Sequence, residues 1–207
     1  KIKVQGHEEG ITRREAYAGV FKGEFDAFHM SRRSYTNQTY WGNAGLYFLN
    51  RALLQLKPEI ALPEAHARWF VYEIFGMVPF GPDMGGLRKT LMEAGCPVHV
   101  VTEKGLTRER GYVAGYGEYT SKFAGLAEDV GCPLLKERVA KMVKARSHLR
   151  VPDNTDEGHR ILRGIGAIGW RGRPYPWLEV RYGSGNALKE AALLQDPVSV
   201  RLAELYL

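Results

Sequence analysis

The side chains able to do chemistry are few and scattered. The six histidines stand at positions 7, 29, 66, 99, 148 and 159, and the two cysteines at 96 and 132. Zinc takes three or four nitrogen, sulfur or carboxylate ligands at fixed spacing. Here no His-x-x-x-His pair occurs, and Cys96 with His99 three residues on is a single pair. There is no Gly-x-Ser-x-Gly elbow, no Walker phosphate loop and no carboxylate pair in a distinctive context. No catalytic, cofactor-binding or metal-binding residue is assigned. A cysteine nucleophile meeting a histidine in space is the one chemistry left open, and two cysteines at equivalent turn positions read better as structure.

Gly164-Ile165-Gly166-Ala167-Ile168-Gly169 matches the dinucleotide fingerprint as a string. The fingerprint works only where a buried strand feeds the glycine turn and a helix begins at it. Arg160-Ile161-Leu162-Arg163 is poorly suited to a buried strand, and Pro174 and Pro176 stop a following helix. Asn37-Gln38-Thr39 is a glycosylation sequon without a secretory signal and is taken as accidental.

Two surfaces carry more promise. The helix expected from Pro133 places Leu135, Val139, Met142, Val143 and Leu149 inward and Lys136, Arg138, Lys141, Lys144 and Arg150 outward, a basic face that is either solvated or an anion-binding surface. Trp170, Arg171, Arg173, Tyr175 and Trp177 fall in a stretch whose two prolines forbid a helix. They are expected to form an extended arm, over residues 170–183, that lies on a partner or on the protein's own core.

The elements that must position these residues are mostly helices. Thr12 and Glu15 form a capping box that opens a helix from Arg13 to Met30, with an apolar stripe of Ala16, Tyr17, Val20, Phe21, Phe25 and Phe28. Residues 31–42 show no apolar period and read as a loop. Asn43 is expected to cap a second helix carrying Leu46, Leu49, Leu53 and Leu56 and ending at Pro58. Pro63 opens a third, with Ala67, Phe70, Val71 and Ile74 inward, and Asp83 a fourth, with Leu87 and Leu91 inside and Gly95 as its stop.

A short strand or connector at 98–101 precedes a glycine-interrupted helix from Thr107 to Val130, with Tyr112, Tyr116, Tyr119, Phe123 and Leu126 on one face. Its glycines, Gly125 among them, either weaken it or admit a neighbouring backbone. After the basic helix, a short helix is expected over 157–168 and a strand over 178–182. Asn186 is expected to cap a helix, and Asp196-Pro197 to open the last one. The expected fold is mainly α, a single domain over residues 1–207 built of helical hairpins.

Leu91-Met92-Glu93-Ala94-Gly95-Cys96-Pro97 resembles Ala127-Glu128-Asp129-Val130-Gly131-Cys132-Pro133 at a spacing of 36 residues, since 131 − 95 = 36. Leu53 to Pro58 holds a similar place 39 residues further back, since 97 − 58 = 39. Helix pairs repeating in the middle thirties mark tetratricopeptide-type solenoids. Over residues 43–150 the chain resembles the pentatricopeptide (PPR) variant, whose repeats close on a similar glycine turn. The resemblance implies an α-solenoid that binds either protein or RNA. The PPR-like subunits on the F1 head of euglenozoan mitochondrial ATP synthases are a protein-binding precedent.

Composition bounds the function. Apolar residues make up 44% and charged residues 25%, an ordinary globular balance. The net charge of +6 favours acidic partners such as RNA, an anionic membrane or an acidic protein face. The most apolar stretch, residues 69–80, is broken by Glu73, Gly76 and Pro79 and falls short of the ~20 residues a bilayer requires. Two cysteines fit a reducing compartment and an unbridged pair. Lys1 fits either a removed mitochondrial presequence or a trimmed chain. The expected function is a non-catalytic accessory subunit of a large mitochondrial assembly, such as one bound to the ATP synthase F1 head and contacting other protein subunits. The alternative is an RNA-binding protein of PPR or ribosomal type.

Overall fold

A computed structural model describes residues 2–4, 7–32, 36–81, 93–95, 99–107, 120–154, 156–164, 180–181 and 184–204. The fold is mainly α. Seven α-helices lie among the described residues, with two small antiparallel sheets. The chain forms two compact units, one of Lys1–Ser34 and Gln38–Val98, the other of Tyr35–Asn37 and His99–Leu207.

The first unit opens on a hairpin of β1 (Ile2–Val4) and β2 (His7–Ile11), which the apolar pattern had not revealed. Helix α1 (Arg13–Met30) starts where the capping box sets it: the Glu15 N–H donates to Thr12 Oγ1 at 3.2 Å, and the Thr12 N–H donates to Glu15 Oε2 at 2.8 Å. Helix α2 (Thr36–Leu56) is longer than expected and absorbs most of the supposed loop over 31–42. Asn43 lies in its interior and caps nothing. The helical period is present in that segment, but polar side chains carry it: Thr36, Thr39, Tyr40 and Asn43 are all buried at three- and four-residue spacing. Reading apolar residues alone misses such a stripe.

A 3₁₀ turn (Pro58–Ile60) and Pro63 lead into α3 (Glu64–Ile74), which buries Ala67, Phe70, Val71 and Ile74 as expected. Phe25, Leu46 and Phe70 form the centre where α1, α2 and α3 meet, with Leu49 and Leu62 packed against it. Polar ties pin the same unit. Arg14 of α1 donates to the Leu56 and Gln55 carbonyls that end α2. Asn50 engages both backbone groups of Leu62, its amide donating to the carbonyl at 2.9 Å and its oxygen accepting from the N–H at 2.7 Å. The helix expected to begin at Asp83 lies outside the described residues, but Gly95 does adopt the left-handed conformation of a helix stop, at φ 74°.

In the second unit residues 99–107 form a tight reversal. Val101 bridges Thr107, and Thr102 N–H donates to the Leu106 carbonyl at 2.8 Å, so Thr107 itself is extended. Gly105, at φ 92°, sits so close to the next helix that a Cβ there would stand 2.7 Å from the Lys141 carbonyl oxygen. Helix α4 (Thr120–Val130) ends on left-handed Gly131, at φ 66°, and α5 (Pro133–Ser147) follows at once with Leu135, Val139, Met142 and Val143 buried. Gly95 and Gly131 thus share the left-handed conformation. Tyr112, Tyr116 and Tyr119 lie outside the described residues.

Within the expected helix over 157–168, residues 160–164 are instead strand. β3 (Arg150–Asn154) pairs antiparallel with β4 (Arg160–Gly164), and β4 pairs with β5 (Val180–Arg181). Gly158, at φ 85°, turns the chain back, and long-range pairing then fixes an extended backbone that no local period announces. Helix α6 (Ser184–Leu194) begins before Asn186, which lies inside it. Gln195, at φ 53°, and Asp196 turn the chain into α7 (Pro197–Glu204). Ala187 and Ala203 are the buried pair where α6 and α7 meet.

Candidate interaction surfaces

Of the five residues assigned to a basic face, three present their charge to solvent. Lys136, Lys141 and Lys144 are exposed along α5. Arg138 turns inward and donates to the carbonyls of Val101 at 3.4 Å, Thr102 at 3.0 Å and Glu103 at 3.4 Å, clamping the 99–107 reversal. Burial pushes its guanidinium below the ordinary arginine value, with Glu103 opposing. Arg150 is not on the helix; it opens β3 opposite Gly164. Sequence reasoning missed Arg146, fully buried on the inner face, whose guanidinium donates to Thr107 Oγ1 at 3.4 Å. An arginine among apolar neighbours carries no periodic signal of burial.

Lys136 and Lys144 line a groove of about 680 Å³ that runs beside α5. Pro133, Ala140 and Val143 supply apolar wall from the helix, and Leu194 at the end of α6 and Val198 in the first turn of α7 supply it from the other side. Glu137, Ser147, His148 and Asp196 complete the lining. The Asp196 carboxylate caps α7, accepting from the Val198 N–H at 3.0 Å and the Ser199 N–H at 3.1 Å. Burial alone would raise its pKa, but hydrogen bonds from Ser199 and the Val198 N–H outweigh it and hold the carboxyl below its ordinary range.

The first unit exposes a second surface. The stripe expected to be buried on α1 is only half buried: Phe25 is inside, whereas Tyr17 is 58% exposed, Val20 60% and Phe28 40%. On α2, Trp41 is 55% exposed and Phe48 40%. Trp41, Gly45 and Phe48 share one face of α2 by helical spacing. The Phe28 ring lies 3.5 Å from where a Cβ on Gly45 would stand, so the α1 and α2 apolar surfaces meet there.

Buried polar chemistry also exists in this unit. Glu73 pairs with Arg32, accepts from Asn43 Nδ2 at 2.8 Å and from the Gly81 N–H at 2.8 Å, and is almost wholly buried. Asn43 also donates to the Phe70 carbonyl at 3.0 Å, and the Arg32 guanidinium lies over the rings of Phe70 and Phe80. Both carboxylate oxygens are occupied by fixed donors, which makes the cluster a clamp joining α2, α3 and the segment after α3. Tyr47 donates to Glu64 Oε1 at 3.0 Å, and burial followed by that carboxylate raises its pKa.

Among the described residues no group of three or more His, Cys, Asp or Glu side chains is arranged to hold a metal. His29 stacks on Phe25, and the Cys132 thiol is free. No described helix is long and apolar enough to cross a membrane. Gly164 closes an antiparallel strand, and the rest of the glycine string lies outside the described residues. So do Cys96, Trp170, Arg171, Arg173, Tyr175 and Trp177. No protein family, characterised protein or solved structure matches the chain.

Proposed function

We propose that this chain is a non-catalytic accessory subunit that binds other protein subunits within a larger, mitochondrial assembly, of which the F1 head of an ATP synthase is one instance. The observation that supports this reading is the α1–α2 face, where Tyr17, Val20, Phe28, Trp41 and Phe48 stand in solvent. Scattered exposed apolar residues are ordinary, but five on two helices that meet at Phe28 and Gly45, rich in Trp, Tyr and Phe, have the composition of an interface core. The basic charge and sparse cysteines agree with a mitochondrial setting. Trp170, Arg171, Arg173, Tyr175 and Trp177 are proposed as further partner contacts. The alternative, an RNA-binding protein of PPR or ribosomal type, draws on Lys136, Lys141 and Lys144, which are exposed on one helix.

Native electrophoresis of the source material with mass spectrometry separates the readings. Co-migration with a respiratory complex is expected, co-migration with ribosomes selects the alternative, and migration as an isolated chain rejects both. The joint change Val20→Glu and Trp41→Glu is expected to release the protein from its complex without lowering its melting temperature, because both side chains already face water.

A further inference from the structure

The outer side of α2 carries a second period. Gln38, Trp41, Gly45, Phe48, Ala52 and Gln55 follow one another at spacings of three, four, three, four and three, and none of them is buried. That is the spacing of a helix that pairs with another helix, and it runs for about 26 Å at 1.5 Å per residue. The stripe that α2 uses inside its own unit, Thr36, Thr39, Asn43, Leu46, Asn50 and Leu53, lies on the opposite side. The helix has one charged residue in its 21, Arg51, which is outside the outer stripe and stands 5.8 Å over the Tyr47 ring.

The two large members of the stripe are held from beneath. Trp41 meets the buried Tyr40 edge-on at 5.2 Å, and Phe48 meets the buried Tyr47 at 5.4 Å. Rings fixed by core tyrosines yet facing water lose little freedom on docking. In order along the helix the stripe reads polar, large, small, large, small, polar. An antiparallel copy of the same helix, with a two-fold axis between positions 46 and 47, opposes positions that add to the same value: 41 + 52 = 93, 45 + 48 = 93 and 38 + 55 = 93. Trp41 then faces Ala52, Phe48 faces Gly45, and the Gln38 carboxamide faces that of Gln55. A parallel pair in register sets Trp41 on Trp41 and Gly45 on Gly45, a collision at one level and a void at the next.

We infer that the outer stripe of α2 docks on the same stripe of a second copy of this chain, antiparallel and in that register. The inference rests on the reading of the α1–α2 face as a docking surface and names the occupant of its α2 half, leaving Tyr17 and Val20 of α1 to other subunits. The two-fold makes the contact closed, with each pairing occurring twice. Charge is compatible, because the stripe is uncharged and the two Arg51 side chains stand about 13 Å apart along the axis. Phe28, whose ring lies 3.5 Å from the Cβ position of Gly45, walls the space that receives Phe48 of the second copy. The solvent-facing parts of Trp41, Phe48 and Phe28 come to about 300 Å² per copy at 150–250 Å² for a whole aromatic side chain. Two copies, with the glutamines and the glycine backbone between them, reach about 1,000 Å², the lower end for a specific interface, so a Kd on the order of micromolar is expected. Nucleic acid is disfavoured here, since one arginine in 21 residues offers little to phosphates.

The test is sedimentation equilibrium of the full chain from about 1 to 200 µM. A monomer–dimer equilibrium is expected, with a Kd that changes by less than about two-fold between roughly 0.05 and 0.5 M salt. Trp41→Glu is expected to weaken it by about ten-fold or more, with the melting temperature of the dilute chain unchanged because the ring already faces water. The joint change Gln38→Cys and Gln55→Cys, both at exposed positions, is expected to give a covalent dimer on mild oxidation. Each single change is expected to cross-link no more than the unaltered chain, whose own cysteines set the background. A chain that stays monomeric throughout, a dimer that dissociates in high salt, or a Kd within about two-fold after Trp41→Glu overturns the inference. So does a single cysteine variant that cross-links as fast as the joint one, which marks a parallel pair. A monomeric chain that still leaves its native complex on the joint change Val20→Glu and Trp41→Glu disproves the second copy alone. A dimer that migrates by itself in native electrophoresis upholds the second copy and disproves the accessory-subunit reading instead.

Discussion

At the scale of single residues, the polar groups that matter most are those that hold the backbone. Glu73 gathers Arg32, Asn43 and Gly81 where water does not reach. Removing one charge of a buried pair leaves the other uncompensated, so Glu73→Gln is expected to cost about 3–5 kcal/mol, read from urea unfolding. Gly105 is as demanding, because its missing Cβ is replaced by the Lys141 carbonyl and its φ of 92° disfavours any side chain. Gly105→Ala should lose roughly 3 kcal/mol, visible as a lower melting temperature. Asp196 sets an acid limit. Its carboxyl is held below the unfolded value near 3.8, so its contribution is complete above that pH and is lost as pH falls through the folded value. Asn caps as well as Asp but does not titrate, so Asp196→Asn should flatten the acid side of the stability curve while leaving neutral stability nearly unchanged.

At the scale of elements, what was legible depended on whether the residues carrying the period were apolar. The capping box at Thr12 and Glu15, the proline starts of α3 and α5 and the glycine stop at Gly131 are local chemistry, and each stands where the sequence put it. Helix α2 defeated the reading because Thr36, Thr39, Asn43 and Asn50 face inward and are hidden from a hydrophobic count. The hairpin of β3 and β4 defeated it because its pairing is non-local. For the site, Lys136 and Lys144 were legible as exposed cations, but the groove was not, since Leu194 and Val198 arrive from fifty or so residues away through the turn at Gln195. Glycines in α4 had two readings, weakening or close approach. Gly125 has nothing within 4 Å of its absent Cβ, which decides for weakening. Gly125→Ala should therefore stabilise the protein by about 1 kcal/mol, raising the melting temperature by a few degrees.

At the scale of the whole molecule, each unit combines a modest apolar centre with side chains that bond to backbone in place of other side chains. Arg14 ends α2, Arg138 holds the 99–107 reversal, and Asn50 holds the segment before α3. Such ties explain how long connections keep a defined path without regular structure. The pairing of Asn50 with Leu62 has a kinetic consequence. One carboxamide satisfies both the N–H and the carbonyl of a residue that lies in neither helix nor strand. Leu62 also packs on the centre formed by Phe25, Leu46 and Phe70, so its amide meets solvent only when α2 and the connection part company. Native-state hydrogen exchange should find the Leu62 amide among the slow ones, in step with the core of α2, and Asn50→Ala should let it exchange at the pace of an ordinary loop.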